Sequence, residues 1–205
     1  FKNHEITIIP MALPVASVKA VCEALLASAP TEKLDLDLEP DKESMTSGGI
    51  VRYDAFNYPA TLKVAPVVQG WYEALLPLVR EVTGLDVILS PYYDSSVVTL
   101  IYRDNEGQQE YHYDTNPITV LLYLTDNPEC GQTAVHTNDG FREVFPVAGS
   151  LLIMRGRKFL HAGCAVKTGV KVAMPMNYYT VDDTWRPGNY QDPNYWNNRK
   201  KVQAS

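Results

Sequence analysis

A chain of 205 residues with 45% hydrophobic content is long enough to bury one substantial core and short for two ordinary domains. Its formal net charge of -6 gives no electrostatic reason to expect nucleic acid or an anionic membrane as a partner. The three cysteines, Cys22, Cys130 and Cys164, are scattered with no CxxC pair, which excludes a zinc knuckle and fits a reducing compartment.

No apolar run approaches the ~20 residues of a membrane helix. The opening Phe1-Lys2-Asn3-His4 lacks the layout of a secretory signal. A cytoplasmic location is therefore the expectation, with a leader ahead of Phe1 left open.

In chain order, Val15, Val18, Val21, Cys22, Leu25 and Leu26 fall at helical spacing and predict an amphipathic helix over 14–28. The stretch Glu32 to Gly49 is rich in Asp, Glu, Lys and Ser and reads as a mobile loop or lid. A second helix is predicted from Lys63 to Thr83, with a stripe of Val64, Val67, Val68, Trp71, Leu75 and Leu78, a kink at Pro77 and a stop at Gly84.

Beyond Gly84 the texture becomes short, β-branched and aromatic. Strands are predicted at 97–102, 118–125, 133–136, 151–154 and 170–181, separated by Asn, Asp, Gly and Pro turns. Two helices followed by a train of strands argue for a mainly β (α+β) jelly roll with the helices packed on one face. The expected organisation is a single domain: helical support and lid over 1–90, the roll over 91–182, and an irregular strap over 183–205 whose aromatics pack down.

In His112-Tyr113-Asp114 an extended chain turns one imidazole and one carboxylate to the same face. Of the four histidines, His161 follows the apolar strand 151–154, which a roll can bring opposite the first. Two imidazoles and a carboxylate form a facial triad that leaves three octahedral positions of a ferrous ion open for a cosubstrate and oxygen. A zinc hydrolase built on the same ligands is an alternative. Lys171 follows on a strand able to face the same cavity, and a buried lysine beside a metal calls for an anion such as the distal carboxylate of 2-oxoglutarate.

With these residues in place, the stretch from Val97 to Tyr179 resembles the prolyl-4-hydroxylase-like branch of the Fe(II)/2-oxoglutarate dioxygenases. Cys130-Gly131-Gln132-Thr133 is similar to the Gly-Gly-x-Thr turn of that family with its first glycine replaced. Phe145-Pro146-Val147-Ala148-Gly149-Ser150 is similar to its Pro-x-x-Gly turn, and His161 to Lys171 to its His to Gly-x-Lys segment, with Ala165 where proline is common. The resemblance implies that His112, Asp114 and His161 hold iron, that Tyr102 faces the 2-oxoglutarate pocket, and that Tyr123 and Lys171 bind the distal carboxylate. It also implies oxygen as co-reactant and ascorbate as a candidate reductant. Asp114 disfavours halogenation, because related halogenases carry a small residue there.

The reaction so implied is oxidation of a C–H bond, by default hydroxylation, with desaturation or cyclisation open to the same iron. A small molecule is the expected substrate, such as an amino acid or an amino-acid-derived natural product. The alternatives are prolyl hydroxylation of a protein or peptide, with 37–58 as the region to engage it, and a non-catalytic jelly roll that binds metal or ligand. Arg52, Arg103, Arg155 and Arg157 are candidates to clamp a substrate carboxylate; His136 has no assigned role, and oligomeric state is left open.

Overall fold

The computed structural model describes residues 6–40, 48–104 and 106–186. Strand β1 (Ile6–Ile9) leads into α1 (Val15–Leu26), then β2 (Glu32–Leu38) and β3 (Gly49–Phe56). Three short helices follow, α2 (Tyr58–Val64), α3 (Val67–Ala74) and α4 (Leu76–Thr83), and then β4 (Val87–Leu89). The remaining strands are β5 (Thr99–Arg103), β6 (Gly107–His112), β7 (Ile118–Tyr123), β8 (Thr133–Thr137), β9 (Gly140–Val144), β10 (Leu151–Met154), β11 (His161–Val166) and β12 (Val170–Thr180).

Strands β5 to β12 fold as a double-stranded β-helix. One sheet carries the order β1-β10-β7-β12-β5-β3, and a smaller one carries β6-β11-β8-β9; β3 and β6 join them at Arg52 and Gln108. All the pairings are antiparallel, and successive strands cross mostly from one sheet to the other. Residues distant in sequence thereby meet across the roll.

The two faces of the larger sheet are buried for different reasons. Val120 and Leu122 of β7, with Val172, Met174 and Met176 of β12, meet Val18, Leu25, Val68 and Val79 of the helices. The alternate residues Leu121, Tyr123 and Ala173 turn into the roll against Leu100, Leu152 and Val135. Burial on both faces explains why these strands read as continuous apolar runs rather than as alternating ones. Among the described residues no helix is long and apolar enough to cross a membrane.

The jelly roll with helices on one face is as expected, and the predicted first helix and roll strands are present. The second helix is three. Pro66 and Pro77 each lie at the start of a new helix, so the chain breaks twice where a single kink was expected; Gly84 caps the last helix in the left-handed conformation at φ 64°.

The expected loop at 32–49 is corrected over its first part. Residues Glu32 to Leu38 form β2 and pair with β3 along their whole length. The period-two alternation of Leu34, Leu36 and Leu38 with Lys33, Asp35 and Asp37 is a strand pattern, which the charge content obscured. Residues 41–47 of that loop lie outside the described residues. So does most of the strap: in its described part Trp185 is 56% exposed rather than packed down.

Candidate metal centre

His112 closes β6 and His161 opens β11, and the two are direct cross-strand partners with ring centroids 4.4 Å apart. The strand opposite β6 is thus β11, not β10, which pairs with β7 in the other sheet. Nor does strand alternation bring Asp114 in, since it lies beyond the end of β6. Its N–H donates to the carbonyl of Gly156 at 3.0 Å, and its Oδ2 accepts a short hydrogen bond from Thr119 Oγ1. Backbone capture of the turn and a strand hydroxyl therefore aim the carboxylate.

Each imidazole is fixed from behind. His112 Nδ1 donates to the carbonyl of Glu110 at 2.7 Å, and His161 Nδ1 to that of Phe159 at 2.8 Å. This tautomer turns both Nε2 lone pairs inward, as metal-binding histidines require. His112 Nε2 lies 3.5 Å from Asp114 Oδ1, and His161 Nε2 lies 3.4 Å from Asp114 Oδ2. One ligand atom from each of the three residues falls within 4.8 Å of the others. Burial by itself would raise the Asp114 carboxyl, but in the metal-free site the attraction of His161 and His112, whose Nε2 atoms face it and can take up a proton there, holds it well below the usual carboxylate range. Burial would also lower His112, and the Asp114 carboxylate outweighs it and raises that imidazole. Two inward nitrogens and one anionic oxygen, backed by hydrogen bonds, fit a divalent transition metal.

Gly156 is required by space. A Cβ there would stand 2.5 Å from Asp114 Oδ2 and closer still to Thr119 Oγ1.

The triad opens into a cavity of about 160 Å³ whose walls include Tyr102, Gln109, Thr133, Gly163, Lys171 and Arg186. On β12, Lys171, Ala173, Pro175 and Asn177 all line it, as alternate residues of one strand face. Lys171 is 1% exposed, with its ammonium 4.9 Å from the centre of the Tyr102 ring, and burial pushes it down to about 8. Tyr102 is its cross-strand partner; its hydroxyl donates to Gln109 Oε1 at 3.0 Å, and Gln109 Nε2 lies 3.2 Å from His112 Nε2. A polar relay thus runs from the lysine end of the cavity to the triad.

The structure brings His112, Asp114, His161, Lys171 and Tyr102 into one cavity. Tyr123 stands behind its wall: it is not among the lining residues, and its hydroxyl donates to Thr133 Oγ1, which is. None of the four candidate arginines lines the cavity. Arg52 pairs with Asp35 and Arg103 with Asp54, Arg155 lies outside the cavity, and Arg157 fastens Asp183, Thr115 and Trp185. Arg186, which sequence reasoning passed over, is the arginine among the lining residues. His136 is exposed against Phe141. No local pattern flags Gln109, because residues three apart on a regular strand face opposite sides and a register shift between β6 and β11 brings it beside His112; none flags Gly156 or Arg186 either.

No family model and no curated protein matches the chain. Solved structures do match it. The non-haem α-ketoglutarate-dependent carbocyclase SnoK of nogalamycin biosynthesis superposes with a TM-score of 0.67 at 16% identity, over 97% of this chain and 87% of SnoK. HygX of Streptomyces hygroscopicus, with nickel and 2-oxoglutarate bound, gives 0.62 at 14% identity, over 91% and 87%. A prolyl-4-hydroxylase of Pseudomonas putida gives 0.62 at 16% identity, over 87% and 94%. The chain has the fold of 2-oxoglutarate-dependent non-haem iron oxygenases, and a His-Asp-His triad lies inside it.

Proposed function

We propose that the chain is an Fe(II)- and 2-oxoglutarate-dependent oxygenase that oxidises a C–H bond of a small molecule. The observation that carries this reading is Lys171, a buried ammonium in the same cavity as a complete two-histidine, one-carboxylate triad. Burying a cation next to a metal site is costly unless a ligand anion meets it.

In this reading His112, Asp114 and His161 hold the iron. Lys171 takes the distal carboxylate of 2-oxoglutarate, with Tyr102 packed on the ammonium. Tyr123 acts through Thr133, whose hydroxyl it fixes at the cavity wall. Iron with 2-oxoglutarate supplies oxygen activation coupled to decarboxylation of the keto acid. The protein residues bind, orient and exclude water: Leu121, Met154 and Ala173 give the cavity an apolar wall that shields the reacting centre. Hydroxylation is the default outcome. SnoK and HygX support a small-molecule substrate by analogy of fold.

Peptide prolyl hydroxylation is the second reading. It is favoured by hairpin β2–β3, whose Val51 and Tyr53 reach the cavity wall, and by likeness to prolyl hydroxylases.

Purified protein supplied with Fe(II), 2-oxoglutarate and oxygen is expected to form succinate, stimulated by one class within a panel of free amino acids, their derivatives and proline-containing peptides. Stimulation by peptides alone would favour the second reading. Metal binding with no succinate under any condition would leave a non-catalytic binding domain and defeat the proposal.

A further inference from the structure

The cavity has a second cationic end. Lys171 and Tyr179 lie on the same face of β12, eight residues apart, which is about 26 Å along an extended strand. Arg186 stacks 4.9 Å over the ring of Tyr92, and that ring packs 5.4 Å from Tyr179. Arg186 is therefore placed near the Tyr179 end of the strand, while lining the same cavity as Lys171. The triad lies between the two. Thr119, which holds Asp114, is the cross-strand partner of Asn177, and the relay through Gln109 ties the other side of the triad to Tyr102 and Lys171.

Arg186 is held there by construction. It is 3% exposed, and the segment ahead of it is fastened by Arg157, which donates to both oxygens of Asp183 and to the carbonyls of Thr115 and Trp185. Thr115 directly follows the ligand Asp114, so a single guanidinium ties the metal-ligand turn to the segment that delivers Arg186. The ion pair of Arg186 with Asp94 is long, at 3.8 Å, and Asp94 is partly exposed.

We infer that Arg186 is a specificity residue that binds a carboxylate of the primary substrate, on the far side of the triad from Lys171, so that the substrate class is a carboxylate-bearing small molecule. This rests on the proposed iron and 2-oxoglutarate chemistry for the identity of the Lys171 end. One carboxylate is then read at each end: that of 2-oxoglutarate at Lys171, and that of the substrate at Arg186. The C–H bond presented to the metal is fixed by its distance from the anchored carboxylate.

The test uses the full chain loaded with redox-inert Mn(II) and 2-oxoglutarate, titrated calorimetrically with the protein amino acids, their N-acetyl derivatives and the methyl ester of each. At least one free carboxylate is expected to bind, with its ester at least about tenfold weaker. Arg186→Gln is expected to weaken the acid to the level of its ester, with 2-oxoglutarate affinity as the readout that a general loosening would move. Asp94→Asn, which removes a carboxylate paired with Arg186 and keeps the arginine, is expected to tighten acid binding by about two- to threefold, and guards against a folding defect in Arg186→Gln.

The inference is overturned if esters bind as well as acids, if no acid of the panel binds, or if acid affinity is unchanged in Arg186→Gln. It is also overturned if 2-oxoglutarate binding falls in parallel and Asp94→Asn has no effect. Failure of the underlying reading shows separately, as wild-type protein that takes up neither Mn(II) nor 2-oxoglutarate, and the inference falls with it.

Discussion

Lys171 and Tyr102 are direct cross-strand partners of β12 and β5, and the lysine ammonium sits 4.9 Å from the centre of the tyrosine ring, inside the roll. A cation–π contact recovers only about 0.5–2 kcal/mol of what desolvation costs an ammonium. The fold thus carries an unfavourable charge that a bound anion would relieve.

Lys171→Met should separate stability from function. Removing a buried ammonium and keeping its volume is expected to stabilise the metal-free chain by about 1–3 kcal/mol. The same change should weaken 2-oxoglutarate binding by about a hundredfold. Chemical denaturation and equilibrium binding check the two halves; a variant that loses stability and retains cosubstrate affinity contradicts the assignment.

The pH dependence follows from the depressed lysine, whose folded-state value lies near 8 and whose usual value is 10.5. The unfolded chain binds the proton more tightly, so stability of the metal-free protein is expected to rise as pH increases from about 8 to about 10.5. Binding of 2-oxoglutarate should do the opposite. Above about pH 8 the free site loses its charge, and affinity should fall by up to about tenfold per unit. Both slopes should vanish in Lys171→Met, and a wild-type affinity flat from pH 7 to 9.5 counts against the charged pairing.

Gly156→Ala is expected to lower metal affinity by about tenfold or more, because its Cβ would press on Asp114 Oδ2 and Thr119 Oγ1. Metal titration by calorimetry, with circular dichroism to show that the roll persists, checks it. Unchanged affinity would mean that the Asp114 turn yields freely.

Much of this architecture was legible in the chain. β-branched runs disclosed the roll strands, and His112, Asp114, His161 and Lys171 stood out because two imidazoles, a carboxylate and a lysine follow one another with the spacing of a known oxygenase family. What stayed hidden is non-local. Asp114 is aimed by the Gly156 carbonyl and the Thr119 hydroxyl, which only the folded turn brings near. Arg186 reaches the cavity because Arg157 fastens the segment before it, and neither tie leaves a local pattern. β2 was hidden by its own charge: one face of the hairpin is solvated, so its acidic residues mimic a loop. Tyr123 shows the converse, where a matching residue type left unstated that Thr133 stands between its hydroxyl and the cavity.

The central claim is that one site binds iron through the triad and 2-oxoglutarate through Lys171. It is tested most directly by titrating Fe(II) anaerobically into the protein with 2-oxoglutarate and recording the visible charge-transfer absorption of the chelated keto acid. The account predicts one iron per chain and a band in the wild type, no band in His112→Ala, and a band in Lys171→Met only at about a hundredfold higher 2-oxoglutarate. A wild type that shows no band, or two variants that match it, would contradict the account.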